Sequence, residues 1–152
     1  MSAPAVGTMA PEFELTNQHG EKVSLASFRG KKNVVLIFYP FAFSGICTGE
    51  LCSLRDDLSA FHNENVELLA ISCDPMFSLK AFAEHEGYKF SLLADFWPHG
   101  DVCSRYGVLR ESGPDAGASE SALFVIDRDG LVVFRKNYGE RTASVSVSVP
   151  EA

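Results

Sequence analysis

The sequence predicts an α/β domain built on one mixed sheet with flanking helices and an N-terminal β-hairpin. Three observations point there. Asn33–Tyr39 (NVVLIFY) and Val66–Ser72 (VELLAIS) are nearly unbroken apolar runs, as in strands covered on both faces. Segments of helical spacing lie between and after them, so these strands need crossover connections and run parallel. Ala122–Ile126, the turn Asp127-Arg-Asp-Gly130 and Leu131–Phe134 then read as a hairpin, which adds antiparallel strands.

The elements follow in order. Residues 1–12 read as a loose terminus with Pro4, Gly7 and Pro11. Phe13-Glu-Leu15 alternates apolar and polar, Asn17-Gln-His-Gly20 is a turn signal, and Glu21–Leu25 alternates again, which makes the first hairpin. After the central strand, Leu51, Leu54, Leu58 and Phe61 form an apolar stripe at spacings of 3, 4 and 3. Asp74-Pro75 opens a second helix with Phe77, Leu79, Phe82 and Ala83 as its apolar residues, and Gly87 stops it. Phe90–Leu93 is a short strand, and Asp95-Phe-Trp-Pro-His-Gly100 is a loop with an aromatic core. Asp101 is placed to cap a short helix through Tyr106, and Glu111–Ser119 is an exposed Gly/Ser/Pro-rich loop. The order ββ, β-α-β-α, hairpin is that of a thioredoxin-like mixed sheet with helices on both faces. Residues 1–141 are read as one domain. Residues 142–152 are an atypical tail whose alternating Val and Ser suggest an edge strand or disorder, with no functional reading attached.

Bulk properties narrow the function. A net charge of −7 and a pI near 5.0 disfavour nucleic acid or anionic membrane as partners. No apolar segment approaches the roughly 20 residues a spanning helix needs, and the N-terminus lacks the pattern of a signal peptide. The expected compartment is the cytoplasm, where thiols stay reduced. Cys47, Cys52, Cys73 and Cys103 are too sparse for a disulfide framework. Their spacing, with His19, His62, His85 and His99 scattered, does not form a zinc-binding pattern, so no metal ligand is expected.

Chemistry concentrates in Tyr39–Arg55 (YPFAFSGICTGELCSLR). Cys47 lies where a loop hands over to a helix, and unpaired N–H groups there favour a thiolate. Pro40 shapes the loop and removes a competing donor, and the Ser44 hydroxyl can donate to a thiolate or a bound oxygen. The competing reading of Cys47 is a small buried apolar residue. Cys73 is read that way, and Cys103 as a packing residue or a fortuitous thiol rather than a resolver.

The spacing Pro40-x-x-x-Ser44-x-x-Cys47 resembles the peroxiredoxin signature, with Glu50 where that family carries an acid. PEFEL, NVVLIFYP, the LRD of the first helix, YGV and FVIDRDG also fit, and DFWPHG is similar to the AhpE-type branch. The resemblance implies a thiol-dependent peroxidase for hydrogen peroxide or organic hydroperoxides that needs no cofactor. Cys47 would be the peroxidatic nucleophile, Ser44 would bind the peroxide, and Pro40 would shield the thiolate. It also implies an arginine near position 121, where Ser121 carries no charge. Arg105, Arg110 and Arg128 are candidate substitutes. Arg110 is the better placed, and Arg128 reads as a solvated turn residue. The alternative function is a redox sensor or binding module of the same fold with weakened or lost peroxidase activity. A thiol–disulfide oxidoreductase fits less well, because no C-x-x-C pair is present.

Cys52 is the possible resolving cysteine. On an intact helix Cys47 and Cys52 would lie about 140° and ~8–9 Å apart, beyond the ~7 Å limit for a disulfide, so bonding requires the first turn to unwind. The PrxQ-type branch, with the same Cys-x4-Cys spacing, implies such unwinding, whereas the AhpE-type branch implies an external thiol. Expected reductants are a thioredoxin, a glutaredoxin-like protein or a low-molecular-weight thiol. Phe41, Phe43, Phe96 and Trp97 are expected at a homodimer contact, with pocket lining as a secondary role.

Overall fold

The computed structural model describes residues 3–43 and 62–137. Seven strands form a single sheet: β1 (Glu14–Asn17), β2 (Lys22–Ser24), β3 (Asn33–Phe38), β4 (Val66–Ser72), β5 (Ser91–Ala94), β6 (Ala122–Ile126) and β7 (Val132–Asn137). Helix α1 (Met76–Glu86) joins β4 to β5, and the short α2 (Asp101–Arg105) follows β5. The helix expected after Cys47 and the tail from 142 onward lie outside the described residues.

The strand order is β2-β1-β5-β4-β3-β6-β7. β3, β4 and β5 are parallel neighbours, and β6 pairs antiparallel with β3. Every residue of β3 is buried, which accounts for its lack of polar alternation. Val34, Leu36 and Phe38 face one side with Leu69, Ile71, Leu93, Phe124 and, from α2, Val102 and Cys103. Val35 and Ile37 face the other with Leu68, Ala70, Leu92 and, from α1, Leu79, Phe82 and Ala83. The two helices therefore cover opposite faces, as the element order predicts.

The first hairpin pairs Glu14 with Ser24 through Thr16 with Lys22, and its turn closes at Gly20 with φ of 80°. Gly87 ends α1 in the left-handed region at φ 72°, and its N–H donates to the Ala83 carbonyl. Three expectations need correction. Phe77 is 76% exposed, because it points away from the stripe that Leu79, Phe82 and Ala83 bury. Asp74-Pro75 does open α1, with Pro75 in the cap position and no side-chain bond there. Asp101 is the first residue of α2 rather than its cap, and the Asp95 carboxylate fills that role by accepting the N–H groups of Val102 and Cys103. Ala118 and Ser119 at the end of the Gly-rich loop are buried, since Ser119 bridges to Leu109 just before β6.

Gly100 joins the aromatic loop to α2 at φ 68°, and a Cβ there would stand 2.6 Å from Leu109 Cδ1. Gly100→Ala is expected to destabilise the fold by about 1–3 kcal/mol, through left-handed backbone strain and that collision. Urea unfolding of the two proteins checks this.

Candidate active site

β3, β4 and β5 run parallel, so the loops that leave their C-terminal ends open on one edge of the sheet, where ligands of open α/β sheets bind. Three segments meet there: Pro40–Phe43 after β3, Cys73–Pro75 after β4, and Asp95–Gly100 after β5. β6 is antiparallel to β3 with Ala122 opposite Phe38, so Ser121 starts from the same edge. The sheet thus brings the Pro40 end of the cysteine segment beside the position where an arginine was expected.

Asp74 ties these segments together. Its Oδ2 accepts the Ala42 N–H at 2.8 Å and the Ser72 hydroxyl at 2.7 Å. The Ser72 carbonyl accepts the Asp95 N–H at 2.8 Å, which links the β4 and β5 loops. Phe43 adopts φ 57°, and its ring packs against Phe82 at 5.1 Å and His85 at 5.8 Å. Tyr39 is fully buried beside Ser72, and burial pushes its hydroxyl pKa well above the usual range. The sequence reading passed over Asp74 as a loop anchor, because an Asp-Pro before a helix is also an ordinary capping signal.

The candidate substitute arginines are engaged elsewhere. Arg105 bonds Asp101 at 2.9 Å and the Glu12 carbonyl. Arg110 pairs with Asp115 at 3.0 Å. The Val108–Glu120 and Arg110–Ala118 backbone bonds show the chain running away from Ser121 toward Arg110. Arg128 bonds Asn65, which precedes β4, at the opposite edge of the sheet. Ser121 itself is half-buried. Ser44, Cys47, Glu50 and Cys52 lie outside the described residues, so Pro40 is the one member of that set whose surroundings are described. Phe41, Phe43, Phe96 and Trp97 are all exposed, Trp97 by 81%.

A second cluster sits under this edge. Cys73 and Cys103 are both buried, with sulfurs 3.8 Å apart. The sequence reading had each thiol buried but did not bring them together, because one follows β4 and the other lies on α2. Asp95 lies against the pair, and one ligand atom from each of the three residues falls within 4.8 Å of the others. Among the described residues these are the side chains grouped closely enough to ligate a metal ion, yet both Asp95 oxygens already accept backbone N–H bonds. Burial raises the Asp95 pKa, and hydrogen bonds from Cys103 and Val102 partly oppose the rise.

A sequence profile of the AhpC/TSA family matches residues 6–135. The chain belongs to the AhpC/TSA family. It is 47% identical over 129 residues to alkyl hydroperoxide reductase E of Mycobacterium tuberculosis, covering 85% of this chain and 82% of that one. It is 36% identical to peroxiredoxin Bcp of Escherichia coli, over 87% of this chain and 85% of the relative. The crystal structure of peroxidoxin BcpB from Mycobacterium tuberculosis superposes with a TM-score of 0.75 at 31% identity, covering 87% of this chain and 84% of that one. The thioredoxin-like sheet is therefore that of this peroxiredoxin family, and the family's thiol-dependent peroxidase activity is the activity of this chain.

Two outcomes follow from the anchoring carboxylates. Asp74→Ala strands the Ala42 N–H and the Ser72 hydroxyl, and is expected to cost about 1–3 kcal/mol of stability and to slow peroxide consumption. Denaturant titration and a peroxide assay check the two effects. Asp95 holds its proton to higher pH in the fold than its ordinary value of 3.8 in the unfolded chain. The folded state therefore binds more protons, and this contribution is present in acid and lost as pH rises through the folded pKa. Urea midpoints of the natural chain relative to Asp95→Asn should fall as pH rises above the ordinary value of 3.8.

Proposed function

We propose that Cys47 is the peroxidatic nucleophile of this peroxidase. The observation that carries the proposal is the Pro40–Ser44–Cys47 spacing on a segment that leaves β3 at the ligand-binding edge of the sheet. The Cys47 thiolate attacks the terminal peroxide oxygen, the O–O bond breaks, and water or an alcohol departs as the sulfur becomes a sulfenic acid. The Ser44 hydroxyl donates to the peroxide, Pro40 keeps water from the thiolate, and Glu50 completes the loop's polar set. The sulfur supplies both electrons, so the step calls on no cofactor.

Ser121 sets the rate. Its half-buried hydroxyl stands where an arginine would offer a charged donor, and Arg105, Arg110 and Arg128 are bonded to other groups. Loss of one such donor slows a reaction by ~10²–10³, which makes this chain a slow peroxidase. The sulfenic acid returns to thiol through Cys52, with local unwinding, or through an external thiol. The reductants that fit are a thioredoxin, a glutaredoxin-like protein or a low-molecular-weight thiol. The exposed Phe41, Phe43, Phe96 and Trp97 support a homodimer contact around the site. Among the described residues no helix is long and apolar enough to cross a membrane, which accords with a cytoplasmic setting.

Stopped-flow oxidation by hydrogen peroxide tests the assignment. Cys47→Ser should abolish the fast phase, whereas Ser121→Arg should accelerate it by at least about tenfold. An unchanged rate in Cys47→Ser would remove Cys47 from the mechanism. Mass spectrometry after one equivalent of peroxide separates a Cys47–Cys52 disulfide from a lasting Cys47 sulfenic acid.

A further inference from the structure

The approach of Cys73 to Cys103 has no part in the peroxidatic scheme. Their sulfurs are 3.8 Å apart, in van der Waals contact, and a disulfide needs about 2.05 Å. Closing that gap of roughly 1.8 Å is within the reach of side-chain rotation at two cysteines already facing each other. The two are not equivalent: Cys73 is 8% exposed and Cys103 0%. Cys73 lies between Ser72 and Asp74, the residues that hold the loop leaving β3. Cys103 is fixed from below, where Asp95 accepts its N–H at 2.8 Å and lies against its sulfur. Hydrogen bonding to Cys73, then burial, push the Cys103 thiol pKa far up, so Cys103 rests as a thiol.

We propose that Cys73 and Cys103 are a second redox couple, which peroxide converts to an intramolecular disulfide without Cys47. The proposal takes from the peroxidase reading only its oxidant, a peroxide. The more accessible Cys73 sulfur attacks one peroxide oxygen. The O–O bond breaks, the departing oxygen takes the Cys73 thiol proton and leaves as water or an alcohol, and Cys73 becomes a sulfenic acid. The Cys103 sulfur then attacks the Cys73 sulfur. The S–S bond forms, the S–O bond breaks, and the departing hydroxide takes the Cys103 proton as water. Two thiols are oxidised by one peroxide, and a dithiol reductant reverses the change. The bond ties the residue after β4 to α2, next to the Asp74 that accepts the Ala42 N–H.

The test removes the other two thiols. In Cys47→Ser/Cys52→Ser protein oxidised while folded and then denatured, hydrogen peroxide should abolish alkylation of both remaining cysteines and subtract two hydrogen atoms from the mass. Trypsin should then yield one linked species carrying Cys73 and Cys103, which a reductant separates. Adding Cys103→Ser should instead leave a dimedone-reactive sulfenic acid on Cys73. Two results overturn the proposal: both cysteines still alkylatable after oxidation, or Cys73 carried to sulfinic acid while Cys103 stays a free thiol. Because Cys47 is absent, neither result depends on whether Cys47 is the peroxidatic residue.

Discussion

The structure depends on β3 being buried along its whole length and paired on both sides. A strand with apolar side chains on both faces can satisfy its backbone only through neighbours in the sheet. β4 supplies one neighbour in parallel and β6 the other in antiparallel orientation. This combination has a functional consequence. The parallel partner sends its exit loop to the edge where β3 ends, and the antiparallel partner begins there. Residues from three distant parts of the chain, Pro40, Asp74 and Ser121, are thereby set on one edge of the sheet.

Two carboxylates then organise that edge. Asp74 accepts a backbone N–H and a hydroxyl, and so holds the departing loop of β3 to the end of β4. Asp95 accepts two N–H groups at the start of α2, and so anchors the aromatic loop and the helix that carries Cys103. A buried carboxylate is stable where its oxygens are bonded, and both oxygens of the buried Asp95 are. Next to Asp74 in the chain and against Asp95, Cys73 and Cys103 bring their sulfurs into contact.

Much of the fold was legible in the sequence. Unbroken apolar runs marked β3 and β4 with nearly their observed ends, and Gly87 and Gly20 marked a helix stop and a turn. These signals are local: burial on two faces removes polar residues, and a left-handed backbone selects glycine. The loop motif from Pro40 to Cys47 was equally visible, since its spacing lies within one short segment. The misreadings were of long-range partners. Asp74 was read only as part of a helix opening, but it bonds across to Ala42; Asp101 looked like a helix cap, but the N–H groups at the start of α2 bond to Asp95.

The sequence alone therefore determined the class of sheet, the family resemblance and the candidate nucleophile, because periodicity and short motifs are properties of neighbouring residues. The tertiary structure decided which distant groups share an edge. It showed that Arg105, Arg110 and Arg128 are bonded away from Ser121, and that Cys73 and Cys103, separated by an intervening helix and strand, touch. Strand register and the packing of α2 on the sheet set those distances, and neither is written in local spacing.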